Sequence, residues 1–224
     1  MLARTVLKEA FGRVAEELPA TLEGLTPEQV LWRPGPEANS IGWLAWHIAR
    51  CEDAQMAPLR AHASAGAMDE AAAMAASAAM LEPLGATGVA GMTGIAGAMA
   101  AQASIEAAES LDPEEGEPTD VWSTQGWDER FGLPYGRDEI GYGHSSEQVG
   151  AFTVTDTGLL ADYYAAVHAA TLEILDRLEE PDFERVVDTN WDPHVTLGVR
   201  VVSVLNDVTA HQGQIAYLRG LLLN

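Results

Sequence analysis

The sequence contains one cysteine and few basic residues, and each of these shortages excludes a class of protein. Cys51 is the only cysteine among 224 residues, which excludes an internal disulfide, a Cys-rich zinc finger and a CxxC redox motif. Twelve Lys and Arg residues accompany 34 Asp and Glu residues, so the formal net charge is −22. Nucleic acids and anionic membrane surfaces both attract clustered cations. We therefore expect neither as a partner.

Long apolar runs are also scarce. The N-terminus has no continuous hydrophobic core followed by a small-residue cleavage site, so we expect no signal peptide and a cytoplasmic protein. No charge occurs between Glu82 and Glu106, a length that could span a bilayer. That segment is rich in Gly and Thr, however, and has no Lys or Arg at its flanks. The composition favours an inserted loop over a membrane span.

This uncharged stretch belongs to a larger segment, residues 62–118, in which Ala, Gly and Met dominate. Glycine recurs at every third position from Gly85 to Gly97, but no proline accompanies it, which argues against a collagen-like triple helix. We interpret residues 62–118 as an insertion, part Ala-rich helix around 69–80 and part Gly-rich loop. Residues 1–224 otherwise predict a single domain.

Four segments show helical spacing of apolar residues: 1–25, 39–58, 155–178 and 196–223. In the first segment the predicted apolar stripe consists of five positions: Leu2, Val6, Ala10, Val14 and Leu18. Hardly any segment alternates as a strand would. The pattern predicts an all-α protein, an up-down-type four-helix bundle with the insertion between its second and third helices. The aromatic and Gly-rich segment 121–147 predicts an ordered loop packed over the bundle.

Two positions in the fourth helix carry candidate metal ligands. Asp207 and His211 are four residues apart, which places them on one helix face. A carboxylate and an imidazole suit Zn, Ni, Fe or Mn, although the same spacing also occurs in ordinary polar pairs. His47, in the second helix, can reach the same interior of a bundle. Three protein ligands would leave a coordination position open for water or substrate.

Two runs around these residues carry a resemblance to a known family. Residues 39–49 read NSIGWLAWHIA and residues 211–220 read HQGQIAYLRG. They resemble the second-helix and fourth-helix motifs of the DinB/YfiT-like superfamily, in the same order and separation. The resemblance covers roughly residues 1–60 and 119–224. The loop 122–147 and the run 191–193 resemble an actinobacterial, mycothiol transferase-like branch.

The resemblance implies a metal-dependent four-helix bundle with a three-residue divalent site. His47 matches the second-helix ligand and His211 a fourth-helix ligand, while Asp207 stands where many members have His. An oxygen ligand favours harder ions, so zinc, nickel, manganese and iron all stay candidates, with zinc or nickel preferred. A homodimer is also implied.

Characterised relatives in this resemblance are thiol S-transferases and isomerases that use mycothiol or bacillithiol. It therefore implies an enzyme in which a bound metal activates a low-molecular-weight thiol, or water, for attack on a small electrophilic substrate. Two alternatives stay open. One is a non-catalytic metal- or ligand-binding module, and the other is an interaction protein that assembles through the insertion.

Other residues can support such a site. Arg219 could bind a substrate carboxylate, or it could interact with a helix C-terminus. His144 could line the mouth of a pocket, or be exposed at the surface. His168 could reach the interior, or be a hydrogen-bonded core residue. Cys51, one turn from His47, could be a fourth ligand or a small apolar filler. We expect no role for His62 or His194.

Overall fold

A computed structural model describes residues 2–62 and 119–223. The predicted insertion, 62–118, lies outside these residues except for His62, and so does its proposed helix. The elements, in chain order, are α1 (Ala3–Leu22), α2 (Pro27–Leu31), α3 (Ile41–Met56), α4 (Val121–Thr124), α5 (Trp127–Phe131), α6 (Ser146–Gly150), α7 (Thr157–Arg177), a 3-10 helix (Glu180–Glu184), β1 (Val186–Asp188), β2 (Val195–Thr196) and α8 (Leu197–Leu223). The described part of the chain is therefore mostly helical, as predicted.

The four predicted long helices correspond to α1, α3, α7 and α8, with ends within a few residues of the expected ones. Side-chain caps fix two of the starts. The Ser40 hydroxyl accepts the Trp43 N–H before α3, and the Asp156 carboxylate accepts the Gly158 and Leu159 N–H groups before α7. Both satisfy backbone donors that the first helical turn leaves unpaired.

The predicted apolar stripe of α1 is confirmed at Val14 and Leu18 but is wrong in the first half of the helix. Leu2 and Val6 are about half exposed, and the buried positions of the helix are Leu7, Phe11, Val14, Leu18 and Leu22. Positions repeated at every fourth residue drift around a helix that has 3.6 residues per turn. The observed set mixes spacings of three and four, and so it follows a single face. In α8, Val199 and Val202 also fit the helical spacing of apolar residues, but both are exposed.

The long helices pack in pairs: α3 with α8, α3 with α7, α1 with α7, and α1 with α8. Asp53 of α3 contacts Tyr163 of α7, and Arg60, four residues after the end of α3, lies 3.7 Å from Glu173, further along α7. These helices therefore run parallel, and the strict alternation of an up-down bundle is not observed there. Residues 57–156 connect the two helices, and connections of this length join parallel neighbours in helical bundles.

Helix α3 lies at the centre of this arrangement. Fifteen of its sixteen residues are buried, because α7 and α8 cover two sides and the α2 and α4 segments pack on the rest. Burial on every side explains why Arg50, Glu52 and Asp53 are almost completely shielded from solvent.

A two-stranded antiparallel sheet joins α7 to α8, with Val186 opposite Thr196 and Asp188 opposite Val195. Its position is fixed by the ion pair between Asp188 and Arg200, which join at 2.8 Å and are both buried. Within the described residues, no helix has the length and hydrophobicity that crossing a membrane requires.

Candidate metal centre

Three side chains from two helices converge between α3 and α8. His47 comes from the middle of α3, and Asp207 and His211 come from successive turns of α8. Each offers one candidate ligand atom, and these atoms all lie within 4.8 Å of one another. The imidazole centroids of His47 and His211 are 4.8 Å apart with their planes at 76°. The structure thus brings together the three side chains that the sequence singles out.

His47 is held rigidly in one orientation. Its Nδ1 lies 2.6 Å from the carbonyl oxygen of Ile140 and donates to it. Its ring stacks against Trp43, with centroids 4.7 Å apart, and the residue is buried. Because Nδ1 carries the proton, Nε2 is the nitrogen with a lone pair available for a cation.

A hydrogen bond within α8 fixes the orientation of the His211 imidazole. Its Nδ1 donates to Oε1 of Gln214 at 3.0 Å, so that Nε2 again remains for coordination. That nitrogen lies 3.4 Å from Oδ1 of Asp207. The second carboxylate oxygen, Oδ2 of Asp207, is buried and has no hydrogen-bond partner among residues 2–62 and 119–223. A buried carboxylate oxygen without a donor is costly.

The pKa values of His47 and His211 are shifted in opposite directions. Burial, and then the charge of nearby His211, lower the pKa of His47 to about 4, so His47 is neutral at pH 7. Burial also acts to lower the pKa of His211, but the hydrogen bond and the charge from Asp207 outweigh it, and the net pKa is raised. The pair Asp207 and His211 therefore attracts a positive charge, supplied either by a proton or by a metal ion.

The donor set fits a divalent cation on chemical grounds. Two imidazole nitrogens and one carboxylate oxygen are ligands that zinc, nickel, iron and manganese accept. Ligating histidines in proteins usually donate their second N–H to a protein oxygen, as His47 does to Ile140 and His211 to Gln214. The buried unpaired oxygen of Asp207 is the atom that a cation would satisfy.

His144 lies beside this site in the loop between α5 and α6. Its Nδ1 accepts the indole N–H of Trp43 at 3.3 Å, and its Nε2 donates to Glu139 Oε2 at 3.0 Å. The side chain is only 4% exposed, so His144 is not a surface residue. Through Trp43, which stacks on His47, it is connected to the candidate ligands.

The other predicted supporting residues lie elsewhere or act differently. Arg219 donates to the carbonyl oxygens of Thr21 and Glu23, where α1, a different helix from its own, ends. His168 is half-buried and stacks on Tyr164. Cys51 is buried with its Sγ 3.5 Å from Nδ1 of His47.

Two partners in the site escaped the sequence reasoning. Gln214 could have been found, since it lies three residues after His211 on the same helix. Ile140 could not, because it contributes a backbone carbonyl that any residue would carry, and it is 93 positions from His47. No side-chain pattern identifies such a contact.

Comparison with known proteins gives two findings. A sequence profile described as the DinB superfamily matches residues 10–215. A solved structure, described as the crystal structure of the conserved protein of locus from Enterococcus faecalis, is similar over 100% of this chain and 98% of its own, with 26% sequence identity and a TM-score of 0.68. No curated protein matches the chain.

Proposed function

The chain belongs to the DinB superfamily, and on that premise we propose that it is a metal-dependent enzyme resembling thiol S-transferases. His47, Asp207 and His211 would hold one divalent cation, zinc or nickel in preference to manganese or iron. The substrates would be a low-molecular-weight thiol such as mycothiol, or water, and a small electrophile. The long helices α1, α3, α7 and α8 would form the four-helix bundle of the superfamily.

One observation carries this proposal: three donor atoms, two of them on preset histidine tautomers, lie within 4.8 Å of one another. A divalent cation held there would lower the pKa of a bound thiol or water. With both histidines neutral, the protein donor set carries one negative charge. A divalent ion therefore leaves a net positive charge at the site, which favours an anionic ligand such as a thiolate.

The chain's own residues supply the surroundings for that ligand. Trp43 covers one face of His47 and limits access of water to it. His144 and Glu139 form a hydrogen-bonded pair beside the same tryptophan, and this pair can hold a proton near the site. The side chains of His211 and Asp207 are 20% and 11% exposed, so the α8 side of the site keeps some contact with solvent.

Metal analysis tests the proposal directly. The full chain is incubated with Zn, Ni, Mn and Fe(II) salts, desalted and analysed for metal content. We expect about one equivalent of metal per chain, lost in His47→Ala and in His211→Ala. His194→Ala, which removes an exposed histidine, is the matched control and should keep the metal. A wild-type protein that stays metal-free, or a His211→Ala variant that binds as tightly, would contradict the proposal.

Turnover then separates an enzyme from a binding module. The metal-loaded protein is mixed with mycothiol and an electrophile such as a chloroarene or maleylpyruvate, and conversion of the electrophile is followed, because S-transfer consumes the thiol whereas isomerisation regenerates it. Conversion that disappears in His211→Ala supports catalysis. Tight metal binding without turnover on any thiol and electrophile would instead identify a non-catalytic module. Sedimentation of the same sample tests the predicted homodimer.

A further inference from the structure

The loop preceding α6 lies along α3 and accepts hydrogen bonds from two side chains of that helix. We call residues 137–141 the strap. His47 donates to the carbonyl of Ile140. One turn further along α3, Arg50 donates through Nε to the carbonyl of Glu139 at 3.3 Å and through Nη2 to the carbonyl of Arg137 at 3.2 Å. The strap therefore contacts α3 through three of its backbone carbonyls, those of Arg137, Glu139 and Ile140.

Arg50 is itself fixed from several directions. It is only 1% exposed, and its Nη1 lies 3.1 Å from Asp120 and 3.7 Å from Asp53. Its guanidinium also lies 5.0 Å from the ring centroid of Trp122. A planar guanidinium with this many partners has little freedom to move. The strap is thus held by a rigid anchor three residues from His47.

Gly141 permits the close approach of the strap to the aromatic face of α3. Its φ is +92°, a backbone conformation that side chains disfavour. A Cβ there would lie 2.8 Å from Trp43 Cζ2, 2.9 Å from Trp46 Cζ3 and 2.9 Å from His47 Nδ1. All three neighbours are rigid rings, so any side chain at this position must push the strap, and the Ile140 carbonyl with it, away from His47.

We propose that Arg50 is a positioning residue for the metal centre, holding the strap so that the Ile140 carbonyl fixes the His47 tautomer that leaves Nε2 free. Gly141 sets the distance of closest approach. Arg50 itself touches no candidate ligand atom and acts only through the strap backbone. This inference rests on the proposed metal site, but the tautomer of His47 can be measured without metal.

The first test compares two glycines of the same loop. Gly141→Ala and Gly143→Ala each place a methyl group on a left-handed backbone, at φ +92° and +69°, but the Cβ of residue 143 meets nothing within 4 Å. We expect Gly141→Ala to weaken zinc binding by about 10- to 100-fold, the usual effect of losing a partner behind a ligand. Gly143→Ala should bind zinc as the wild type does. Equal affinities in all three proteins would overturn the proposal.

The second test addresses the anchor. Arg50→Lys keeps the positive charge beside Asp53 and Asp120 but loses the forked donors to the strap. Arg200→Lys is its control, because Arg200 is also buried in an ion pair, with Asp188, away from the strap. Both variants should lose stability, and only Arg50→Lys should lose zinc affinity, by about tenfold or more. A parallel loss of affinity in both would assign Arg50 a merely structural role.

The third measurement separates failure of this inference from failure of the proposed function. Imidazole ¹⁵N shifts of His47 in the metal-free protein report which nitrogen carries the proton. We expect protonated Nδ1 in the wild type and in Gly143→Ala, and a mixture of tautomers in Gly141→Ala and Arg50→Lys. If the wild type binds no metal, the proposed function fails while this comparison still holds. Unchanged shifts in both strap variants would overturn the positioning role.

Discussion

At the scale of single residues, the neighbouring buried acids Glu52 and Asp53 of α3 differ in the number of hydrogen bonds that their carboxylates accept. Asp53 accepts three donors, the N–H groups of Val121 and Trp122 and the hydroxyl of Tyr163. Glu52, the preceding residue, accepts the hydroxyl of Tyr164 at 2.9 Å, and its Oε1 has no hydrogen-bond partner within the described ranges. Burial raises the pKa of Glu52 to about 7, although Tyr164 and Thr171 act to lower it.

The raised pKa of Glu52 predicts that the protein loses stability as the pH rises. Between the ordinary pKa of 4.5 and the folded value of about 7, the folded state binds a proton that the unfolded state releases. The free energy of unfolding therefore falls across that window, by about 3 kcal/mol in total. Glu52→Gln keeps an acceptor for Tyr164 and removes this dependence. Urea unfolding should show the variant more stable than wild type at pH 8 and equal at pH 4.

The control for this prediction is Glu17→Gln, which changes an exposed glutamate on α1 and should alter stability by less than about 0.5 kcal/mol at either pH. A constant difference between Glu52→Gln and wild type at both pH values would mean that the pKa of Glu52 is the same in the folded and unfolded states, and would contradict the prediction.

At the scale of elements, α4 depends on α3 for its existence. A helix of four residues cannot persist alone, because nucleation costs more than its few hydrogen bonds return. Here Asp53 accepts the N–H groups of Val121 and Trp122, each at 2.8 Å, and Asp120 accepts that of Ser123. The carboxylate of Asp53 therefore attaches α4 to α3, and α4 begins the segment that leads to the strap.

We therefore predict that Asp53→Asn destabilises the protein by about 1 to 3 kcal/mol, the usual cost of leaving a buried donor unsatisfied, since Arg50 keeps Asp120 as its ion-pair partner. The amide would also place an N–H group against backbone donors. Asp156→Asn makes the same chemical change at the exposed N-cap of α7, where Asn caps as well as Asp, and should be nearly neutral. Chemical denaturation of both variants at pH 7 measures this, and equal midpoints would contradict it.

The elements also show what the sequence can and cannot predict. Helix positions followed from periodicity, and Asp207 with His211 followed from a spacing of four on one helix. The buried face of α1 did not, since Leu2 and Val6 fit a regular spacing as well as Leu7 does. Arg50 was missed altogether, because its partner Glu139 lies 89 positions away and contributes only a carbonyl. Local sequence patterns predict where helices form, whereas contacts between loops and helices that are distant in sequence can be identified only from the three-dimensional structure.

At the scale of the whole molecule, the formal charge of −22 dominates. Excess charge of one sign destabilises a compact state through self-repulsion, and salt screens it, with a Debye length near 10 Å at 0.1 M. We predict that raising NaCl from 20 to 500 mM increases the melting temperature by about 2 to 4 °C, equivalent to roughly 1 kcal/mol. Thermal unfolding followed by circular dichroism checks this. A melting temperature that falls with salt would show that attractive ion pairs outweigh the repulsion.

The burial of α3 on all sides has a kinetic consequence. Amide hydrogens exchange with solvent through local openings, and the elements at the core open last. The helix that carries His47 and Arg50 has fifteen of sixteen residues buried, so its amides should exchange only when the whole molecule unfolds. Deuterium uptake in α3 should therefore report global unfolding, whereas an opening of the strap would remove the Ile140 carbonyl from His47 without exposing the amides of α3.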